Sequence, residues 1–214
     1  MPPSLILFDL DNTLYPASSG VSAAMEERMQ RYVARVTGTD EATARALRDG
    51  YYASYGTTLA GLMREQQIDT EDYLCDVHDL PVDALIAPDP ELDRLIGLLP
   101  MRKAIFTNGT IEWARAVLGR LGIAHHFPQI YDIRFAKLAP KPEPAFYHAV
   151  LADLGAQPSD ALIIEDSLRN LATARALGMA TILVDELGAL PTAPADLIVP
   201  NVRDAVRAIL ELGG

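Results

Sequence analysis

Asp9 and Asp11 stand on either side of Leu10 at the end of the apolar run Leu5–Phe8. In a continuing strand alternate side chains face the same way, so both carboxylates can line one crevice. Two acids held so close repel strongly unless a cation lies between them or one keeps its proton. Mg²⁺ resolves that conflict, because it takes oxygen ligands and accepts waters and a substrate phosphate as the rest of its shell. Asp11-Asn12-Thr13 is equally the composition of a solvated Asx turn, so the pair alone leaves both readings open.

Three further segments carry similar chemistry. Thr107-Asn108-Gly109 follows Ala104-Ile105-Phe106 and opens a helical pattern. A hydroxyl, an amide and backbone N–H groups at a helix start suit a phosphate oxygen, although an ordinary N-cap turn looks the same. Glu165-Asp166-Ser167 follows Leu162-Ile163-Ile164, with Asn170 one helical turn later. These acids supply the remaining metal ligands and Asn170 is placed to orient them; acids at a helix start also simply complement its dipole. Lys141 sits among alternating prolines in Ala139-Pro140-Lys141-Pro142-Glu143-Pro144, a stiff setting that fixes where it points. There it can act as a point charge on a phosphoryl group and temper the acids, although a solvated loop lysine would look the same. Lys137, in a more flexible setting, is the weaker rival. Unrelated turns have no reason to deliver an acid pair, Thr/Asn, a lysine and a second acid pair in this order.

The elements that must hold these residues are legible as alternating patterns. Short apolar runs at Leu5–Phe8, Lys103–Phe106, Ala161–Ile164, Ala180–Val184 and Leu197–Val199 read as strands buried on both faces. Helical spacing fills the gaps at 111–121, 144–154 and 168–177, each ended by a glycine, and Asn201 caps a closing helix. The pattern predicts an α/β fold, a doubly wound, Rossmann-like parallel sheet. From Leu14 to about Pro90 there are only helical stretches, at 22–36, 40–55, 58–66 and 70–77, closed by the linker Ala87-Pro88-Asp89-Pro90. The expected organisation is a core of residues 1–14 and 91–214 with a small all-helical cap, residues 15–90, inserted after the first strand. Such a module sits over the carboxyl ends of the strands, where α/β folds bind ligands.

Bulk properties narrow the partners. A net charge of −11 repels a phosphate backbone, which argues against a nucleic-acid polymer and leaves a small anion held by local cations. The single cysteine, Cys75, forms neither an intrachain disulfide nor a thiolate cluster and reads as a partly buried small hydrophobe. No run is long enough to span a membrane, and the start lacks a signal-peptide pattern, so the expected location is cytoplasmic. The sequence does not distinguish a monomer from a dimer.

Taken together, Asp9-Leu10-Asp11-Asn12-Thr13, Thr107-Asn108, Lys141-Pro142 and Glu165-Asp166-Ser167 with Asn170 resemble the four motifs of the haloacid dehalogenase superfamily of phosphohydrolases. The resemblance implies that Asp9 attacks phosphorus and forms an aspartyl-phosphate. It makes Asp11 the group that protonates the leaving oxygen and then activates water. It places Mg²⁺ on the Asp9 carboxylate, the Asp11 backbone carbonyl and Asp166, with Glu165 direct or through water. Thr107, Asn108 and Lys141 would hold the phosphoryl oxygens, with Ser167 and Asn170 in support. Members that attack carbon lack the second aspartate, so Asp11 favours phosphate chemistry.

Asp11-Asn12-Thr13-Leu14-Tyr15-Pro16, Tyr51-Tyr52-Ala53-Ser54-Tyr55-Gly56 and Gly61-Leu62-Met63 further resemble the pyrimidine 5′-nucleotidase branch. That implies a nucleoside monophosphate such as UMP or CMP as substrate, with Tyr15, Tyr52 and Tyr55 as candidate base contacts, although such aromatics equally serve to pack the cap helices together. The alternatives are a phosphatase for another small metabolite (a sugar phosphate, phosphoglycolate or pyridoxal phosphate) and a non-catalytic binding protein on the same scaffold.

Overall fold

The computed structural model describes residues 3–135 and 137–212. Its strands are β1 (Leu5–Phe8), β2 (Arg102–Phe106), β3 (Ile130–Tyr131), β4 (Ala161–Glu165), β5 (Ala180–Val184) and β6 (Leu197–Val199). They form one six-stranded parallel sheet in the order β3-β2-β1-β4-β5-β6. The order reverses between β1 and β4, and a doubly wound sheet opens its ligand crevice at the carboxyl ends of the strands at such a point. The α/β expectation holds, and the sheet gains one strand that no pattern announced, the two-residue β3.

All four residues of β1 are buried. Alternation sends Ile6 and Phe8 into one apolar layer and Leu5 and Leu7 into the other. Full burial of a side chain such as Phe8 contributes about 1.5–3 kcal/mol. Six α-helices separate β1 from β2 among the described residues: α1 (Val21–Thr37), α2 (Glu41–Tyr55), α3 (Thr58–Glu65), α4 (Thr70–His78), α5 (Val82–Leu85) and α6 (Pro90–Gly97). After β2 come α7 (Ile111–Leu121), α8 (Pro144–Asp153), α9 (Leu168–Ala176) and α10 (Val202–Leu212). Residues of α6, α7 and α10 pack on the Ile6/Phe8 layer, and those of α8 and α9 on the Leu5/Leu7 layer. At the end of α7, Gly122 takes φ 84° and returns its N–H to Leu118, a left-handed stop that costs glycine little. Asn201 Oδ1 accepts the Asp204 N–H at 3.0 Å and so caps α10.

The helices that follow β1 have their own apolar centre, built from Tyr32, Val33, Ala44, Tyr51, Leu59, Leu62, Tyr73, Leu74 and Val77 and closed from the sheet side by Ile133. Gly61 allows α3 to approach α2: a β-carbon there would lie 2.3 Å from Tyr51 Cβ. Pro90, the last residue of the expected linker, already takes the first position of α6, with Asp89 Oδ1 capping the Leu92 N–H at 3.0 Å. Cys75 is exposed on α4, contrary to its reading as partly buried, because Tyr73, Leu74 and Val77 supply the inward face. No described helix is long and apolar enough to cross a membrane.

Candidate active site

Asp9 is the first residue past β1, and its N–H donates to Ile164 O at 3.0 Å, tying it to β4. Asn12 then adopts φ 61°, a left-handed conformation that asparagine tolerates. The turn returns Thr13 to Asp9, where the hydroxyl donates to Oδ2 at 2.9 Å. Lys141 Nζ donates to Asp9 Oδ1 at 2.6 Å, to Glu165 Oε2 at 3.0 Å and to Phe106 O at 2.8 Å. All three ammonium donors are therefore used. Lys141 is only 1 % exposed. Burial alone would pull its pKa down, but Asp9 and Glu165 outweigh burial and hold it above the ordinary lysine range. Its rival Lys137 is exposed.

The direction of Lys141 is set by a partner that sequence reasoning did not assign. The Asn108 side chain accepts from Lys141 N at 2.7 Å and donates to Lys141 O at 3.0 Å, locking the backbone of the lysine to the end of β2. Next to Asn108, Thr107 Oγ1 accepts the Gly109 N–H at 2.9 Å, which leaves its own hydrogen free to donate.

Glu165 Oε1 accepts from Asn170 Nδ2 at 2.5 Å, and the Tyr147 hydroxyl in turn donates to Asn170 O at 2.9 Å. Asn170 thus orients an acid, as its spacing suggested, and that acid is Glu165. Ser167 lies at the N-cap of α9, where its carbonyl accepts the Leu171 N–H and its hydroxyl makes no cap bond. Burial, reinforced by Asp9 and opposed by Lys141, pushes Glu165 up to about 8 and Asp166 up to about 7. Carboxylate oxygens of Asp9, Glu165 and Asp166 lie within 4.8 Å of one another. Among the described residues, one ammonium against two buried acids and the half-buried Asp166 leaves a deficit of positive charge, and an all-oxygen donor set with that deficit suits a hard divalent cation. The Asp11 side chain is not in this group. A second set of possible ligands, Asp93, His125 and His126, lies on α6 and past α7, where the chain enters β2 and β3, at the other end of the sheet. There His126 Nε2 is within 3.0 Å of Asp93 O and 2.8 Å of Asp93 Oδ1, as a hydrogen-bonded pair.

Asp11 is gripped separately. Its Oδ1 accepts from Trp113 Nε1 at 2.7 Å and from the Tyr15 hydroxyl at 2.5 Å. Burial pushes its pKa up and Asp9 adds to the rise, while Trp113 and Tyr15 pull the other way. Asp11 also forms part of the wall of a cavity of about 490 Å³ under the helices that follow β1. Met25, Met29, Leu59, Leu74, Val77 and Ile133 make it largely apolar, and Ser22, Arg48, Tyr52, Thr57, His78, Asn108 and Gly109 add polar groups.

The three candidate tyrosines part company here. Tyr52 lines the cavity, 53 % exposed, with the Arg169 guanidinium 5.5 Å from its ring centre. Tyr15 is buried against Asp11 instead of facing the cavity, and Tyr55 turns away to donate to Glu65 at 2.6 Å. Trp113 and His78 escaped the sequence reading. A tryptophan three residues past Thr110 and a histidine at a helix end look ordinary until folding brings them to Asp11.

A family model described as haloacid dehalogenase-like hydrolase matches residues 3–178. The chain belongs to that family. As a haloacid dehalogenase-like hydrolase it has curated relatives of modest identity. "Phosphate metabolism protein 8" of Saccharomyces cerevisiae is 29% identical over 194 residues, covering 84% of this chain and 60% of the yeast protein. "Phosphoglycolate phosphatase" of Rhodospirillum rubrum is 29% identical over 205 residues, covering 85% of this chain and 79% of the other. The chain thus spans about three fifths of the yeast relative's length. Among solved structures, an HAD phosphatase from Thermococcus onnurineus superposes with a TM-score of 0.67 at 20% identity, covering 97% of each chain. CbbY from Rhodobacter sphaeroides, in complex with phosphate, gives 0.67 at 21% identity, covering 94% of this chain and 96% of that one. At such identities these two neighbours speak for the fold of a haloacid dehalogenase-like hydrolase.

Proposed function

We propose that this haloacid dehalogenase-like hydrolase is a magnesium-dependent phosphomonoesterase that works through an aspartyl-phosphate on Asp9. The observation that carries the reading is the position of Asp11: it adjoins the Asp9–Lys141–Glu165–Asp166 cluster and is also part of the cavity wall. A phosphoryl group at the cluster would therefore direct its leaving oxygen past Asp11 into the cavity. The names of the two curated relatives, both tied to phosphate, point the same way.

In this reading the Asp9 carboxylate attacks phosphorus and the bond to the ester oxygen breaks. Protonated Asp11 gives its proton to that oxygen, a role helped by the burial that raises its pKa. Asp11, now a carboxylate, takes a proton from water, whose oxygen attacks the aspartyl-phosphate and releases phosphate. Thr107 and the Asn108 backbone hold the phosphoryl oxygens, and Lys141 turns one donor from its present partners to join them. Mg²⁺, when held by Asp9, Asp166 and the Asp11 backbone carbonyl, supplies the positive charge that the acid cluster and the phosphoryl group require. Glu165, held by Lys141 and Asn170, would meet the ion directly or through water. Residues 15–90 act as the cap that covers the leaving group.

For the substrate we infer a nucleoside 5′-monophosphate, following the resemblance to the pyrimidine 5′-nucleotidase branch. A cavity of about 490 Å³ with mainly apolar walls suits a base and a sugar. Phosphoglycolate, the second reading raised by the Rhodospirillum relative, would leave most of that volume unfilled. Phosphate release from a panel of monoesters, with and without Mg²⁺, tests both. The expected result is Mg²⁺-dependent turnover with a higher kcat/KM for UMP or CMP than for phosphoglycolate or sugar phosphates. Preference for phosphoglycolate would replace the substrate, and no turnover of any ester would favour a binding protein.

A further inference from the structure

His78 ends α4, and its half-buried ring places Nδ1 2.8 Å from Leu74 O. A carbonyl oxygen only accepts, so Nδ1 carries the hydrogen and Nε2 presents a lone pair. Among the described residues nothing donates to that lone pair, which remains open to the cavity and its solvent. A β-carbon on residue 109 would stand 3.4 Å from Nε2, so Gly109 keeps the space before it clear, and His78, Gly109 and Asp11 all line the cavity. The ring also lies against Trp113, centroids 6.1 Å apart, and Trp113 is the residue that grips Asp11. An open acceptor on a fixed ring, beside the group that faces the leaving oxygen, calls for a donor on the leaving group.

We propose that His78 is a specificity-determining residue: its Nε2 accepts a hydrogen bond from a hydroxyl or ring N–H of the alcohol portion of the substrate, close to the ester oxygen. This rests on the phosphohydrolase reading above. A site built to receive a donor discriminates against an ester that lacks one, because the acceptor is then buried without a partner. A leaving group without a donor, such as p-nitrophenol, gains nothing from His78.

The test compares kcat/KM for p-nitrophenyl phosphate with kcat/KM for the best substrate among uridine 5′-monophosphate, ribose 5-phosphate and 2-phosphoglycerol. His78→Phe keeps an aromatic ring and removes the acceptor, whereas His78→Gln restores an oxygen at similar reach; His78→Leu takes the place of His78→Phe if that variant does not fold. The expected loss in His78→Phe is roughly tenfold greater for the donor-bearing ester than for p-nitrophenyl phosphate, and His78→Gln recovers most of the difference. Equal losses for both esters, or no recovery in His78→Gln, would overturn the proposal. So would a wild-type chain that turns over p-nitrophenyl phosphate but none of the three donor-bearing esters, and the phosphohydrolase reading would survive that result. If the wild-type chain hydrolyses none of the four, that reading fails and the role of His78 fails with it.

Discussion

Trp113 Nε1 donates to Asp11 Oδ1 at 2.7 Å, so the first turn of α7 grips a side chain 102 residues earlier in the sequence. The bond holds the Asp11 carboxyl in one orientation between the acid cluster and the cavity. It also favours the ionised form, against burial, which favours the protonated one.

Trp113→Phe keeps the ring and deletes that donor. With one stabiliser of the carboxylate gone, the Asp11 pKa moves further up, so the protonated acid survives to higher pH. The basic limb of the kcat–pH profile should shift upward, and kcat should fall roughly tenfold from looser orientation, with a smaller change in KM. A pH–rate profile of the variant checks both effects.

Lys141→Met removes the one cation that bridges Asp9 and Glu165, leaving two buried acids without it. Breaking a buried pair from one side costs about 3–5 kcal/mol. For a chain of this size the expected drop in Tm is on the order of 10 °C, read by thermal unfolding at neutral pH without divalent ions.

Glu165 and Asp166 titrate near 8 and 7 in the folded chain, above the usual carboxylate range, because of burial and the nearby Asp9. Between about pH 4 and pH 8 the folded state therefore holds more protons than the unfolded one, and stability falls as pH rises through that window. Mg²⁺ should counter the fall, since it binds the ionised acids and displaces their protons. Tm measured across this range in chelator and in Mg²⁺ should give two curves that diverge with increasing pH.

Much of this arrangement is legible in the sequence because it is local. An apolar run ending in Asp9, or in Glu165 and Asp166, carries strand, crevice and acid in one segment, and Asn170 falls a helical turn from its partner. What escapes is contact between distant segments. Nothing near Trp113 or His78 points to Asp11, and nothing near Lys141 reveals that Asn108 clamps its backbone. β3 and α5, two and four residues long, are too short for any period to register. The tyrosines show the same limit in reverse. The resemblance to the nucleotidase branch implied base contacts, but which way each ring turns is decided by packing, and Tyr15 and Tyr55 turn to carboxylates.

Gly61→Ala tests the packing that shapes the cavity. The added carbon meets Tyr51 Cβ at 2.3 Å, so α2 and α3 must separate. A destabilisation of about 1–3 kcal/mol is expected, visible as a Tm lower by several degrees. The cavity walls on these helices should loosen with it, raising KM for the preferred ester more than for p-nitrophenyl phosphate.

If Asp9 is the nucleophile, the phosphate-release rate of Asp9→Asn in the presence of Mg²⁺ must collapse. The substitution preserves shape and the Thr13 contact while removing the attacking oxyanion. The expected rate is lower than wild type by roughly a thousandfold or more, in a protein that still unfolds cooperatively. A folded Asp9→Asn variant that releases phosphate within tenfold of the wild-type rate would contradict the mechanism.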